Sequence, residues 1–530
     1  MLQKFNKTPS RGGVIAAALI KTPFKLLAIA LLIGAPLLGV WIASSLAVYR
    51  NQSVAGAIIA ALLMFPVAPL AWELLSQLWR RWRGKSGKKR ILTFFDRFVL
   101  RTLAVNGAFI AVMLFSWPLQ AFSALSTRGD WMLHGSKTAT AQTVRRTLFS
   151  VADNLEWLYK LGKRENPYAR YKGDDKPIPS ADELRRSHVA DNVHKKGRSA
   201  GRGSGSGSGS GAPAVTQPKP QPGTPPAIYA RWPLAGRHAL ASTVPSSATT
   251  SVKALGAYIK ANTQGELDRA RAIHDWVAAH IRYDAVALAA NKFPPQDAAT
   301  VLRTGKGVCA GYAKLYAALA QEVGLEARYV VGHVRKRDGG VNLEDAGHAW
   351  NAVRINKHWY LVDTTWDAGF VHGTEFTRSV RSVYFAAPPA VFGTDHFPED
   401  ARWQLRAKPL TRAEFVRQPM MRPSFYAAGL RLRSPQRPQV TVASSLRLSL
   451  HNPRGVFLLA SFKGSASGRC ASNAAAGGAG HSGVTCSFPK AGRYKVQLCI
   501  NKRQAFGSFE CVGGVSVNVS VGASATSQAR

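Results

Sequence analysis

Three uncharged apolar stretches near the start of the chain constrain its fold most: residues 26–49 (24 residues), 54–72 (19) and 102–127 (26). A helix rises about 1.5 Å per residue, so roughly 20 apolar residues cross the hydrocarbon of a bilayer. Each stretch therefore predicts a membrane-spanning helix, the second extending to about Trp79. A cleaved signal peptide is the competing account of the first stretch, but a second span follows within a few residues. Lys4, Lys7, Arg11, Lys21 and Lys25 precede the first span, and "RRWRGKSGKKR" separates the second from the third. The short loop "RNQS" carries a single arginine. By the positive-inside rule the N-terminus and the 80–101 loop are expected in the cytoplasm, with everything after about Thr127 outside.

A net charge of +41 and a pI near 10.6 point to an anionic neighbour. Much of that charge sits in the cytoplasmic loops or in the basic stretch "RRSHVADNVHKKGRSAGRG", with no aromatic platform repeated along it. Membrane lipid or a charged envelope polymer is thus the expected partner, and nucleic acid is not. Cysteine usage agrees with an oxidising compartment: Cys470, Cys486, Cys499 and Cys511 form an even set near the C-terminus. They allow three pairings; Cys499 and Cys511 flank a hairpin pattern, which favours 470–486 with 499–511. Zinc is the weaker reading, because no CxxC spacing occurs.

Beyond the spans, Val144, Leu148, Val151, Leu155 and Leu158 form a two-heptad stripe. Its expected role is a helix lying on a domain or membrane rather than a coiled coil. "GRGSGSGSGSG" at 201–211 and "APAVTQPKPQPGTPP" at 212–226 read as a flexible and then a stiffer tether. The expected organisation is a membrane module over 1–127, a juxtamembrane basic and partly helical segment over 128–198 and a linker over 199–226. A mixed α/β domain over 227–430 and a small β-sandwich over 431–530 complete it.

Within 250–335 the pattern is helical. Ile273, Trp276, Val277 and Ile281 share one face, as do Tyr312, Leu315, Tyr316, Leu319, Ala320 and Val323, with Gly324 as a fitting C-terminal cap. Cys309, the fifth and unpaired cysteine, lies one turn before Tyr312 on that inward face. Strand patterns follow in "EARYVVGHV", "GHAWNAVRI" and "HWYLVDTTW". If Asn356-Lys357 forms a two-residue turn, Ile355 pairs with His358. Asp363 then falls opposite Trp350, with His348 as its diagonal neighbour on the same face. A three-residue loop would turn Asp363 to the other face. Gly347 leaves room beside His348, and Trp350 and Trp366 would shield the site from water.

These parts suit nucleophilic acyl transfer. A thiolate at a helix N-terminus is stabilised by the helix dipole and by a neighbouring imidazolium. His348 would act as base and then as acid, with Asp363 fixing its tautomer. The backbone N–H of Cys309 is the candidate oxyanion donor. Bland readings exist for each residue: an inert buried thiol, a satisfied core histidine, an aspartate capping Thr364 and Thr365. Their joint occurrence in this order favours chemistry. His333 and His372 have no evident partners in sequence, His358 reads as a turn residue and His396 as a loop residue. A metal site from Cys309, His348 and Asp363 lacks a fourth ligand, and no cofactor is called for.

"GVCAGYAKLYAALAQEVGLEARYVVGHV" followed by "GHAWNAVRINKHWYLVDTTWD" resembles the transglutaminase-like superfamily with its papain-like Cys, His, Asp order. "YFAAPPAVFGTDHFPEDARWQL" is similar to the kyphoscoliosis-peptidase branch. The resemblance covers about 250–420, offers no match for the membrane module, and implies an α+β core with Cys309 as nucleophile, His348 as base and Asp363 as its orienter. The expected fold class is multi-domain: three transmembrane helices, an α+β papain/transglutaminase-like core and a small all-β, Ig-like sandwich. The expected function is membrane-anchored, extracytoplasmic, cysteine-dependent hydrolysis or acyl transfer on peptide or protein amides, through a thioester at Cys309. The rival is a catalytically inactive envelope scaffold of the same fold. A sensor relaying through the 144–158 stripe is disfavoured, because the cytoplasmic loop is too short for an effector domain.

Overall fold

The computed structural model describes residues 11–50, 52–84, 91–133, 136, 138–162, 165–172, 178–180, 183–184, 227–335, 347–472 and 480–520. The tether expected over 199–226 lies outside them. The chain forms two compact units, Met1–Lys163 and Arg164–Arg530.

In the first unit Ala30–Tyr49, Val54–Trp82 and Phe94–Ser116 are long and apolar enough to cross a membrane. Ser53 caps the second, its hydroxyl accepting from Gly56 N at 3.1 Å. Pro66 lacks an N–H, and the helix loosens to a π-turn over Leu63–Val67. Asn106 of the third helix donates to Met64 O there at 3.2 Å. Gly39 permits this approach: a Cβ at that position would lie 2.1 Å from Asn106 Oδ1. Glu73 is buried and ion-paired with Arg97 at 2.9 Å and with Arg101, the pairing a carboxylate in an apolar layer requires. The third span is shorter than expected, ending at Ser116 rather than Thr127. Pro118 disfavours the helical conformation at Trp117, which sits at φ −142°, and a separate helix Pro118–Arg128 begins there. The heptad stripe is also interrupted: one helix ends at Asn154 and another starts at Glu156, while Val144 and Val151 stay exposed.

The second unit opens with a short segment, residues 165–184 in part, packed on the α/β domain. That domain sets the helices Val252–Ala261, Gly265–His280, Ala298–Thr304 and Cys309–Glu322 against an antiparallel sheet. The sheet order is His358–Val362, Gly347–Ile355, Glu326–Val334, His396–Pro398. Ile273, Trp276, Val277, Ile281, Tyr312, Leu315, Tyr316, Leu319, Ala320 and Val323 all enter one apolar cluster, joined from the sheet by Val353, Ile355, Tyr360 and Val362. Gly324 ends the helix Cys309–Glu322 at φ +83°. Leu325 N bonds Ala320 O and Gly324 N bonds Gln321 O, a Schellman closure.

The C-terminal part is a sandwich of a four-stranded and a six-stranded sheet. Its apolar core draws on Met421, Phe425, Ala428 and Leu430 as well as the later strands. Disulfides join Cys470 to Cys486 and Cys499 to Cys511, and Cys309 is the free thiol.

Candidate active site

Cys309 is the first residue of its helix, where the amide has no acceptor within the helix. Val308, the capping residue, makes no side-chain cap, while the Gly311 amide bonds Val308 O at 2.9 Å. The start of the helix is pinned by Gln296, whose Oε1 accepts from Val308 N at 2.9 Å. Gly311 is small for this reason: a Cβ would come 2.6 Å from Gln296 Oε1 and 2.8 Å from Val301. Deeper, Asn351 donates to Ala313 O at 2.9 Å and Tyr312 to Ile281 O at 2.6 Å, fixing the helix to strand and neighbour.

The hairpin register is the even one. Ile355 pairs with His358, and Asn356 and Lys357 form the turn at φ 48° and 67°. His348 Nε2 lies 2.8 Å from Asp363 Oδ2. Asp363 also caps the next turn, its Oδ1 accepting from Thr365 N at 2.8 Å and Trp366 N at 3.0 Å. The capping role and the orienting role thus coexist on separate oxygens. With Nε2 committed to Asp363, Nδ1 is the ring atom left for Cys309, whose thiol lies near enough to help raise the imidazole. Burial alone would push His348 down; the Asp363 carboxylate, followed by Cys309, outweighs it and raises the imidazole to about 9. Burial likewise opposes ionisation of Asp363, but His348 and then His396 hold its carboxyl far below the usual range.

His396 is the main correction to the sequence reading. It is not in a loop but begins the edge strand His396–Pro398 beside Gly332–Val334. Its Nε2 donates to Asp363 Oδ2 at 3.0 Å and its Nδ1 to Asp395 Oδ1 at 2.7 Å; Tyr384 donates to Asp395 Oδ2 at 2.7 Å. Burial works against its charge, yet Asp395 and Asp363 raise His396 to about 9. His348, Asp363 and His396 are close enough to share a metal ion. Hydrogen bonds account for the trio, because Asp363 already spends one oxygen on two ring nitrogens and the other on two amides. The adjacent Asp395-His396 pair in "GTDHFPED" was the available sequence signal.

Tyr168 was also missed. It is buried in one cluster with Cys309, against which Tyr283 also packs. Burial, then the neighbouring Cys309, pushes its phenol up from its ordinary value, so it stays protonated beside the sulfur. Asn166 holds the segment, donating to Gly332 O at 2.7 Å, and Tyr329 donates to Tyr168 O at 3.1 Å. Gly347 makes room for this segment: a Cβ would lie 2.8 Å from Asn166 Oδ1. Beneath it Cys309 is 1 % exposed. Trp350 and Trp366 flank His348 as expected, ring centres 5.9 and 5.6 Å away. His333 lies 3.8 Å from Glu399, His358 Nδ1 bonds Asn356 O, and His372 sits on an exposed hairpin; none joins the site.

Residues 253–364 match the family model of the transglutaminase-like superfamily. Kyphoscoliosis peptidase of Homo sapiens is 35% identical over 180 residues, 32% of this chain and 27% of that protein. The Mus musculus protein of the same name is 35% identical over 179 residues, with the same coverage of 32% and 27%. The chain thus spans about a quarter of the length of these relatives. A solved structure described as a crystal structure of a TGase is 24% identical, covering 26% of this chain and 37% of that one at a TM-score of 0.19.

Proposed function

This chain carries a domain of the transglutaminase-like superfamily, and on that premise we propose that it is a membrane-anchored cysteine enzyme acting on peptide or protein amides outside the cytoplasm. The observation that carries the reading is the series Cys309, His348, Asp363, gathered from a helix start, a strand and a turn, with Asp363 bonded to the imidazole at 2.8 Å and the thiol beside the same ring. The Cys309 sulfur attacks the carbonyl carbon, forming a C–S bond, with the helix-start amide facing the developing oxyanion. The imidazolium of His348 gives its proton to the amide nitrogen as the C–N bond breaks, leaving a thioester and a free amine. Neutral His348 then takes a proton from water or from an acceptor amine, whose attack on the thioester releases acid or new amide and restores the thiol. Asp363 holds the ring tautomer throughout, and His396 positions Asp363.

Three apolar helices support membrane anchorage, and two disulfides support an oxidising compartment. The basic residues before the first span and between the second and third favour a cytoplasmic N-terminus, and the substrate is then an extracytoplasmic peptide, such as that of an envelope polymer. A second reading, an inactive scaffold, is favoured by one observation: Cys309 is covered by Tyr168. Alkylation of Cys309 in the full chain separates the two. Rapid labelling near neutral pH that is lost in His348→Ala supports the enzyme. A rate no faster than that of free cysteine, indifferent to His348, rejects it in favour of the scaffold.

A further inference from the structure

A cavity of about 220 Å³ opens beside His348, lined among others by Trp366, Phe370, Phe376, Arg381 and Arg422. Two arginines and a histidine line it, and no aspartate or glutamate is among its lining residues. The Arg381 side chain is 24 % exposed, so part of its guanidinium stays open beyond its bond to Glu510. A guanidinium offers forked donors that match a carboxylate, and such charged hydrogen bonds are the strong ones. Two segments aim the pair. Arg381 N donates to Asp367 O at 2.8 Å, within the turn that Asp363 caps, and its Nη1 donates to Glu510 Oε1 at 2.7 Å. Arg422 N donates to Val512 O at 2.8 Å, and its guanidinium stands 6.0 Å from the Trp366 ring. Ser424 also donates to Glu510 at 2.7 Å, so one carboxylate of the sandwich steadies both sides. Leu288, Phe370, Val371 and Phe376 supply apolar walls around this cationic end.

We propose that this cavity is an anion subsite in which Arg381 and Arg422 hold a carboxylate carried by the peptide whose amide Cys309 attacks. The inference rests on the amide-cleaving reading and narrows its substrate class to peptides with an acidic side chain or free carboxylate near the scissile bond. The apolar walls take the aliphatic stem and the guanidiniums its charged end. The sandwich thereby acquires a part in the chemistry, through Glu510 and through the backbone of Val512.

The test uses N-bromoacetyl ω-amino acids of increasing chain length and the matching carboxamides, on the full chain in detergent. Each rate of Cys309 alkylation is divided by that of the same reagent with free cysteine; any opening step over Cys309 is common to both reagents and cancels in their ratio. At one chain length the carboxylate is expected to outpace its carboxamide by roughly tenfold or more, with saturation, as charged hydrogen bonds require. Arg422→Met and Arg381→Met should each bring that ratio toward one. Arg422→Lys should recover part of it, which separates lost charge from lost fold. A ratio near one in the native chain, with both reagents far faster than with free cysteine, overturns the subsite and leaves the nucleophile standing. A phosphonate probe that outpaces the carboxylate overturns the assigned ligand. If neither reagent exceeds its rate with free cysteine, the catalytic reading and the subsite fall together.

Discussion

Two buried histidine–carboxylate clusters sit in the same domain and differ in one respect. In the first, His348 and His396 share Asp363 beside Cys309 and a cavity. In the second, His274 Nδ1 lies 2.8 Å from Asp275 and its Nε2 3.2 Å from Asp367, with Phe385 against the ring and no thiol near. Both carry raised histidines: for His274 burial opposes the charge, and Asp275 and Asp367 still lift it to about 9. Asp367 accepts from Val383 N and Tyr384 N, and Asp275 accepts from His238 N and Ser382 Oγ. The second cluster therefore ties the helix Gly265–His280 to the turn after Asp363 and to the segment leading to Tyr384. A perturbed imidazole between carboxylates marks a buried network; a nucleophile and a route for substrate turn one such network into a site.

The sharpest way to break this comparison is to remove a histidine from each cluster. His348→Ala should lower turnover by about 10³-fold, as loss of a general acid–base does, and bring Cys309 alkylation down to the rate of free cysteine or below. His274→Gln should leave alkylation rapid and instead cost about 3–5 kcal/mol in urea unfolding, because it strands buried carboxylates. Equal loss of alkylation in both would erase the distinction.

Replacing His396 by Gln tests the positioning role. It should reduce kcat by roughly 10–100-fold with little change in KM, since Asp363 loses one of two orienting donors; this range is carried over from orienting partners of metal ligands. The pH profile gives a signature that a merely structural residue would not move: losing the charged His396 leaves the Asp363 carboxylate to His348 alone and removes a like charge 5.6 Å from its ring, so the alkaline limb should shift to higher pH.

In the native chain that alkaline limb should fall near pH 9, where His348 loses its proton. Asp363→Asn removes the leading favourable charge and should move it down toward 6.5, the ordinary value for histidine. Stability should follow the same sign in both clusters. His348, His396 and His274 are raised when folded, so their contribution is whole below about 6.5 and disappears as pH climbs through about 9. Asp363 is lowered, so its contribution is present above the ordinary aspartate value and is lost only in acid. Urea midpoints across pH 5–10 measure this decline.

The smallest expected effect belongs to Tyr168→Phe. Removing one hydroxyl beside Cys309 while keeping the ring should change alkylation only several-fold, about the worth of one hydrogen bond. Tyr168→Ala, which uncovers the sulfur, should accelerate it further. A fragment for these assays should begin before Asn166, because one starting at residue 227 omits the covering segment.

Much of this molecule was legible along the chain. Apolar runs disclosed the three membrane-length helices, and a period of 3.6 identified the inward face that carries Cys309. The two-residue turn at Asn356-Lys357 determined the register that sets Asp363 beside His348, because strand period and turn length leave one answer once the loop is even. These features are local, written in neighbours a few positions apart. What tertiary structure decided is everything that required distant segments to meet. His396 reaches Asp363 by edge pairing of a three-residue strand too short to have a period, and Asn166 brings Tyr168 over the sulfur from far upstream. Arg381 is held by Glu510, which belongs to the C-terminal sandwich. Periodicity records which face a residue presents, but no local pattern records what a fold brings against that face.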